Sequence, residues 1–160
     1  MPARTGRRVD HNGHSLIEIE VRCGECGAPT GLVDGATIHP RRADLAHLRF
    51  YACGCGAYVG VHAGTLQPLG TPAGPATRAA RTAVHRLFDP LWRDRRDASR
   101  TVARRDAYRW LADRLGIRFE DCHIGMMDRP MAERARAACM RGQAARSMRR
   151  IDATPANVIG

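Results

Sequence analysis

Hydrophobic and polar residues change rhythm midway along this 160-residue chain. Up to residue 62 the apolar positions alternate with polar ones or gather in short runs. From residue 76 onward they return every three or four positions. The first rhythm suits strands and the second suits helices that bury one stripe.

Ser15 to Val21 (SLIEIEV) alternates Leu16, Ile17, Ile19 and Val21 with Glu18 and Glu20, which predicts a half-buried strand. Gly31 to Ile38 places two β-prone runs around Asp34-Gly35, a dipeptide that favours a tight hairpin turn. Leu48 to Ala52 and Ala57 to His62 read as two more strands, with one helical turn or irregular chain over 39–47. Gly and Pro crowd the segment 63–75 and mark a boundary.

Beyond it, Ala76, Ala79, Ala80, Ala83, Val84, Leu87, Phe88 and Leu91 form a stripe at helical spacing, ended or kinked by Pro90. Ser99 suits the N-cap of a second helix, with Val102, Ala103, Ala107, Trp110, Leu111 and Leu115 buried and Gly116 as its stop. A third helix is expected from about Asp128, with Pro130 in its first turn, weakening at Gly142. The resulting organisation is a flexible tail over 1–14, a zinc-ribbon layer over 15–70, an Arg-rich helical layer over 71–150, and a frayed tail over 151–160. The fold class is α+β, a ribbon of short antiparallel strands packed against a C-terminal half of about three helices.

The ribbon follows from cysteine spacing. Cys23-Gly24-Glu25-Cys26-Gly27 and Cys53-Gly54-Cys55-Gly56 are two short turns, each closed by glycine. Thiolates paired this closely can each give two ligands to one tetrahedral zinc ion. The second pair has one spacer residue rather than two, so His62, on the following strand, is an alternative ligand. Four protein ligands leave no open position, which gives the ion a structural role. Aromatics make up only 5% of the chain, so the core is thin and a metal would compensate.

Charge changes the picture of the second half. The net +10 is carried by Arg alone, since the chain has no Lys. Residues 78–118 hold twelve Arg against five acids, and residues 129–150 seven against one. A basic helical surface attracts nucleic acid or another polyanion. Arg78, Arg81, Arg104, Arg105, Arg109, Arg136, Arg146, Arg149 and Arg150 are the candidate phosphate contacts. No apolar run is long enough to span a membrane and none follows the N-terminus as a secretory signal would, so no membrane partner and a cytoplasmic setting are expected.

His85 and Asp89 lie one helical turn apart, and Cys122-His123 with Asp128 form a second concentration of reactive groups. These five are a possible functional cluster. A helix-pinning hydrogen bond before Pro90 is the favoured account of His85–Asp89, and a packed loop that of Cys122-His123. The chain also lacks phosphate-loop, nucleophile-elbow and metalloprotease motifs, so catalysis is not the leading expectation.

The Cys23/Cys26 pair, Cys55 to His62, Gly64-Thr65, Pro68 to Gly70, Ala83 to Trp92, Ala107 to Ala112 and Cys122 to Asp128 together resemble a zinc-finger-containing domain family of phages and prophages. The resemblance covers roughly residues 20 to 128 and implies a zinc-binding phage protein with no assigned reaction. Three functions follow as expectations. The first is a structural-zinc protein that binds nucleic acid through Arg-rich helices. The second is a phage regulator that grips an acidic host protein. The third is a metal-dependent nuclease using His85, His123 and Asp128.

Overall fold

The computed structural model describes residues 8–152, with side chains through residue 143. The chain divides into two compact units. One runs to Arg78 and takes in Gly125–Asp128, and the other comprises Ala79–Ile124 and the chain from Arg129 onward. The architecture is α+β, with three strands in the first unit and long helices in the second.

In the first unit, β1 (Gly31–Asp34), β2 (Arg49–Ala52) and β3 (Tyr58–Gly60) make one antiparallel sheet in chain order. Gly31 pairs with Ala52 and Asp34 with Arg49, while Phe50 pairs with Gly60 and Ala52 with Tyr58. Tyr51 is wholly buried at the centre. Its hydroxyl donates to the Leu66 carbonyl at 3.0 Å and accepts from the Ile19 amide at 3.2 Å. One phenol therefore ties the chain on both sides to the middle strand. His39, Phe50 and Tyr58 meet edge to face with centroids 5.5 to 5.9 Å apart.

Two expectations fail in this unit. Residues 15–21 form no strand. Ser15 is buried, and its hydroxyl donates to the Ile17 carbonyl at 2.7 Å, so a local turn captures backbone that a ladder would need. Leu16 and Ile17 are consequently exposed. Asp34-Gly35 is not a hairpin turn either. Asp34 caps α1 (Gly35–Ile38), its carboxylate accepting from the Thr37 amide at 3.0 Å. The link from β1 to β2 is thus a long excursion through α1 and a 3₁₀ turn at Ala43–Leu45. The tight turn of the sheet is instead the second cysteine pair, between β2 and β3.

α2 (Pro75–Phe88) begins at Pro75, whose fixed φ suits a first helical turn. α3 (Pro90–Arg93) is one turn set off by Pro90. α4 (Arg100–Leu115) has Ser99 as its N-cap, accepting from the Val102 amide, and ends on left-handed Gly116. Arg134 donates to the Leu115 carbonyl at 2.8 Å and satisfies an end that helices leave open. The core of this second unit joins Val84, Phe88, Leu111, Ile124 and Cys139, all fully buried, with alanines 103, 107, 132, 135 and 138 between them.

α5 (Arg129–Asp152) does not weaken at Gly142 but runs ten residues past it, to within the stretch expected to fray. Residues 153–160 of that tail, and 1–7 of the N-terminal one, lie outside the described residues. Gly142 is there for space: a Cβ on it would sit 2.7 Å from Cζ2 of Trp110. We expect Gly142→Leu to destabilise the protein by about 1–3 kcal/mol through overpacking, despite a helix-propensity gain of about 1 kcal/mol. Urea unfolding of the helical signal measures it, and an unchanged midpoint would mean the indole has room to move.

Candidate functional site

Two constellations stand out, one in each unit. In the first, both cysteine turns are built alike. The Cys23 amide donates to the Ala28 carbonyl and the Cys53 amide to the Ala57 carbonyl, each at 2.8 Å. Gly27 and Gly56 follow at φ +74° and +88°, a conformation that side-chain-bearing residues rarely adopt. Each turn is also pinned at its base. Arg22 bridges Pro29 beside the first, and Ala52 pairs with Tyr58 beside the second.

The two turns bring the sulfurs of Cys23, Cys26, Cys53 and Cys55 within 4.8 Å of one another. Cys23 Sγ lies 3.6 Å from Cys55 Sγ, and Cys26 Sγ lies 3.5 Å from Cys53 Sγ. A disulfide would hold them at about 2.05 Å. Sulfurs bound at about 2.3 Å on the corners of a tetrahedron stand about 3.8 Å apart, so these distances suit one zinc ion. The single-residue spacer of the second pair is no obstacle, since both of its sulfurs join the group. His62 lies elsewhere, stacked on His14 with ring centroids 4.1 Å apart.

Burial pushes the Cys23 thiol up, but the amide groups of Cys26 and Glu25 and the facing thiols outweigh it and bring it down to about 7. The Glu25 amide points at Cys23 Sγ from 3.4 Å. At Cys26 and Cys55 the Ala28 and Ala57 amides favour the thiolate, yet the neighbouring sulfurs win and raise both thiols. The sulfurs facing Cys26 and Cys55 thus oppose the ionisation of those two thiols. A divalent ion removes that opposition, so the donor set fits the metal.

The second constellation lies wholly within the helical unit. A cleft of about 780 Å³ opens between α2–α3, α4 and the chain after α4. Its walls carry Arg93, Arg100, Arg104 and Arg105, with Trp92 and Tyr108 among them. The Arg104 guanidinium lies 5.3 Å from the Tyr108 ring centre and 5.9 Å from that of Trp92. Arg100 and Arg105 make no ion pair among the described residues. The buried Trp92 Nε1 has no hydrogen-bond partner among the described residues.

Four of the five residues in the expected functional cluster line this cleft: His85, Asp89, Cys122 and His123. His85 Nδ1 is 3.2 Å from Asp89 Oδ1, and Arg93 Nη2 is 3.1 Å from Asp89 Oδ2. Asp128 belongs to the other unit. Cys122 is buried and burial pushes its thiol up to about 11, so it stays protonated and unreactive at neutral pH.

The candidate arginines scatter. Arg104 and Arg105 reach the cleft, while Arg78 stacks 3.9 Å over the Tyr58 ring and donates to the Ala73 carbonyl in the zinc-bearing unit. Arg81 has interactions of its own, Arg109 lies 5.4 Å from the Phe119 ring centre, and Arg136 is exposed on α5. The side chains of Arg146, Arg149 and Arg150 lie outside the described residues. Sequence reasoning missed Arg93, Arg100, Trp92 and Tyr108. A signal was present, because Arg100, Arg104 and Tyr108 recur every four residues along one face of α4.

No helix among the described residues is long and apolar enough to cross a membrane. No curated protein and no solved structure matches this chain. A family model does match, over residues 19–141, and it describes a zinc-finger-containing domain. That span contains all four clustered cysteines and the whole cleft. With a zinc-suited sulfur cluster at its start and most of its length matched, the chain belongs to the zinc-finger-containing domain family.

Proposed function

We propose that the protein binds nucleic acid in the cleft of its helical unit, with the zinc centre holding the other unit folded. The observation that carries this is the meeting of four arginines with Trp92 and Tyr108 around one open cleft. Guanidinium groups suit phosphate oxygens, and flat rings suit bases. The combination fits a single strand, whose bases are free to stack. Each base stacked on an aromatic side chain is worth about 1–3 kcal/mol. Arg100 and Arg105, with no acid to release among the described residues, would meet phosphates at little expense.

Fluorescence anisotropy with a labelled single-stranded oligonucleotide tests this. If Arg100, Arg104 and Arg105 each neutralise one phosphate, log affinity falls with log salt at a slope of about −2.1, or about twentyfold between 50 and 200 mM. Arg100→Ala and Arg105→Ala should each flatten the slope by about 0.7. No binding even at low salt would refute the proposal. Binding whose slope ignores both substitutions would move the contact off this cleft.

A further inference from the structure

We infer that the same cleft cleaves RNA by acid–base catalysis, with His85 as general base and His123 as general acid. This rests on the nucleic-acid reading above and adds a reaction to it. Two imidazoles from distant parts of the sequence enter one arginine-lined cleft. His85 comes from the last turn of α2, and His123 follows the 3₁₀ turn at Phe119–Asp121. Neither is needed to fill the core, since the His85 side chain is 45% exposed and His123 is exposed.

Their surroundings differ. Asp89 is itself held by Arg93, and its carboxylate can only accept, so it selects the His85 tautomer with hydrogen on Nδ1. The lone pair of Nε2 is then free to take a proton. His123 makes no ion pair among the described residues, though Glu120 also lines the cleft. Its ring lies 6.0 Å from that of Tyr108, the residue whose ring Arg104 also approaches. Arg100, Arg104 and Arg105 supply positive charge where a phosphorane would gather negative charge.

The chemistry selects RNA. Its 2′-hydroxyl is a nucleophile already placed beside the phosphorus, so a base and an acid are sufficient. His85 Nε2 takes the 2′-hydroxyl proton as that oxygen forms a bond to phosphorus. The bond from phosphorus to the 5′-oxygen breaks, and protonated His123 gives that oxygen its proton. The products are a 2′,3′-cyclic phosphate and a 5′-hydroxyl, with no oxidant or co-substrate consumed. DNA lacks the attacking group. Among the described residues, the four cysteines are the one group of three or more side chains within metal-ligand reach of each other, and the mechanism draws on the imidazoles as acid and base.

The test uses zinc-loaded protein in buffer stripped of other divalent ions over a chelating resin, with RNA, its 2′-O-methyl analogue and DNA of the same sequence. RNA alone should be cut, leaving cyclic phosphate ends. His85→Ala and His123→Ala should each slow cutting by at least about 100-fold, with anisotropy showing RNA still bound. A substrate with sulfur as the bridging 5′ atom needs no acid, so it should restore the rate of His123→Ala and not that of His85→Ala. RNA that is bound but left intact would overturn catalysis and leave the binding proposal standing. RNA that is not bound would overturn both. Cutting that survives both substitutions, or that needs added magnesium or manganese, would also overturn the mechanism.

Discussion

Chelation of the zinc is expected to unfold the cysteine-bearing unit while leaving much of the helical signal in place. The unit has little else to hold it. Its large buried apolar side chains are Tyr51, Phe50, Val21, Pro72 and Met127, and Ala57 and Ala73 add little. A structural zinc contributes about 10–16 kcal/mol in small zinc-finger peptides at neutral pH, comparable with the whole stability of a typical domain at about 5–15 kcal/mol. The helical unit has its own core around Phe88, Leu111 and Ile124.

Near-ultraviolet circular dichroism should therefore lose the Tyr51 and Tyr58 signals on chelation, and far-ultraviolet ellipticity at 222 nm should fall much less. Cys23→Ser should act like chelation, since Cys23 is the buried ligand. Acid should act in the same direction. The raised thiols of Cys26 and Cys55 must each lose a proton to bind, so affinity should fall about a hundredfold per pH unit for those two alone. A native spectrum after chelation, with four freely titrating thiols, would overturn the metal's structural role.

Gly35→Ala is the second large effect, expected to destabilise the zinc-loaded protein by about 3 kcal/mol or more. A Cβ at this buried position would lie 1.8 Å from the Leu45 carbonyl oxygen and 2.7 Å from its carbon. Those are backbone atoms, which have no rotamer by which to retreat. The loop is also locked there, because the Gly35 amide donates to the Ala46 carbonyl at 3.2 Å. Relief would mean moving the whole excursion between β1 and β2. Gly31→Ala is the matched control, with nothing within 4 Å of the added carbon and an expected change near zero. Urea midpoints compare the two directly. Equal midpoints would show that the excursion yields easily.

His85 and Asp89 were legible as neighbours because one helical turn separates them, and Cys122-His123 because they adjoin. That all four face one cleft was not legible. It depends on α2 and on the chain after α4 meeting the same face of α4, and no local spacing records that.

Local chemistry alone determined the zinc turns, the Ser99 and Gly116 caps and the proline starts of the helices, because each is settled within about five residues. Tertiary structure decided what Gly35 and Gly142 are for, since the atoms that forbid a side chain there come from Leu45 and Trp110. It also took part in deciding that the alternating residues 15–21 form no strand, because the Leu66 amide claims the Ser15 carbonyl and the Tyr51 hydroxyl claims the Ile19 amide. A motif whose partners are close in sequence is written in the sequence. A glycine or an alternation is not, because its meaning depends on what packs against it.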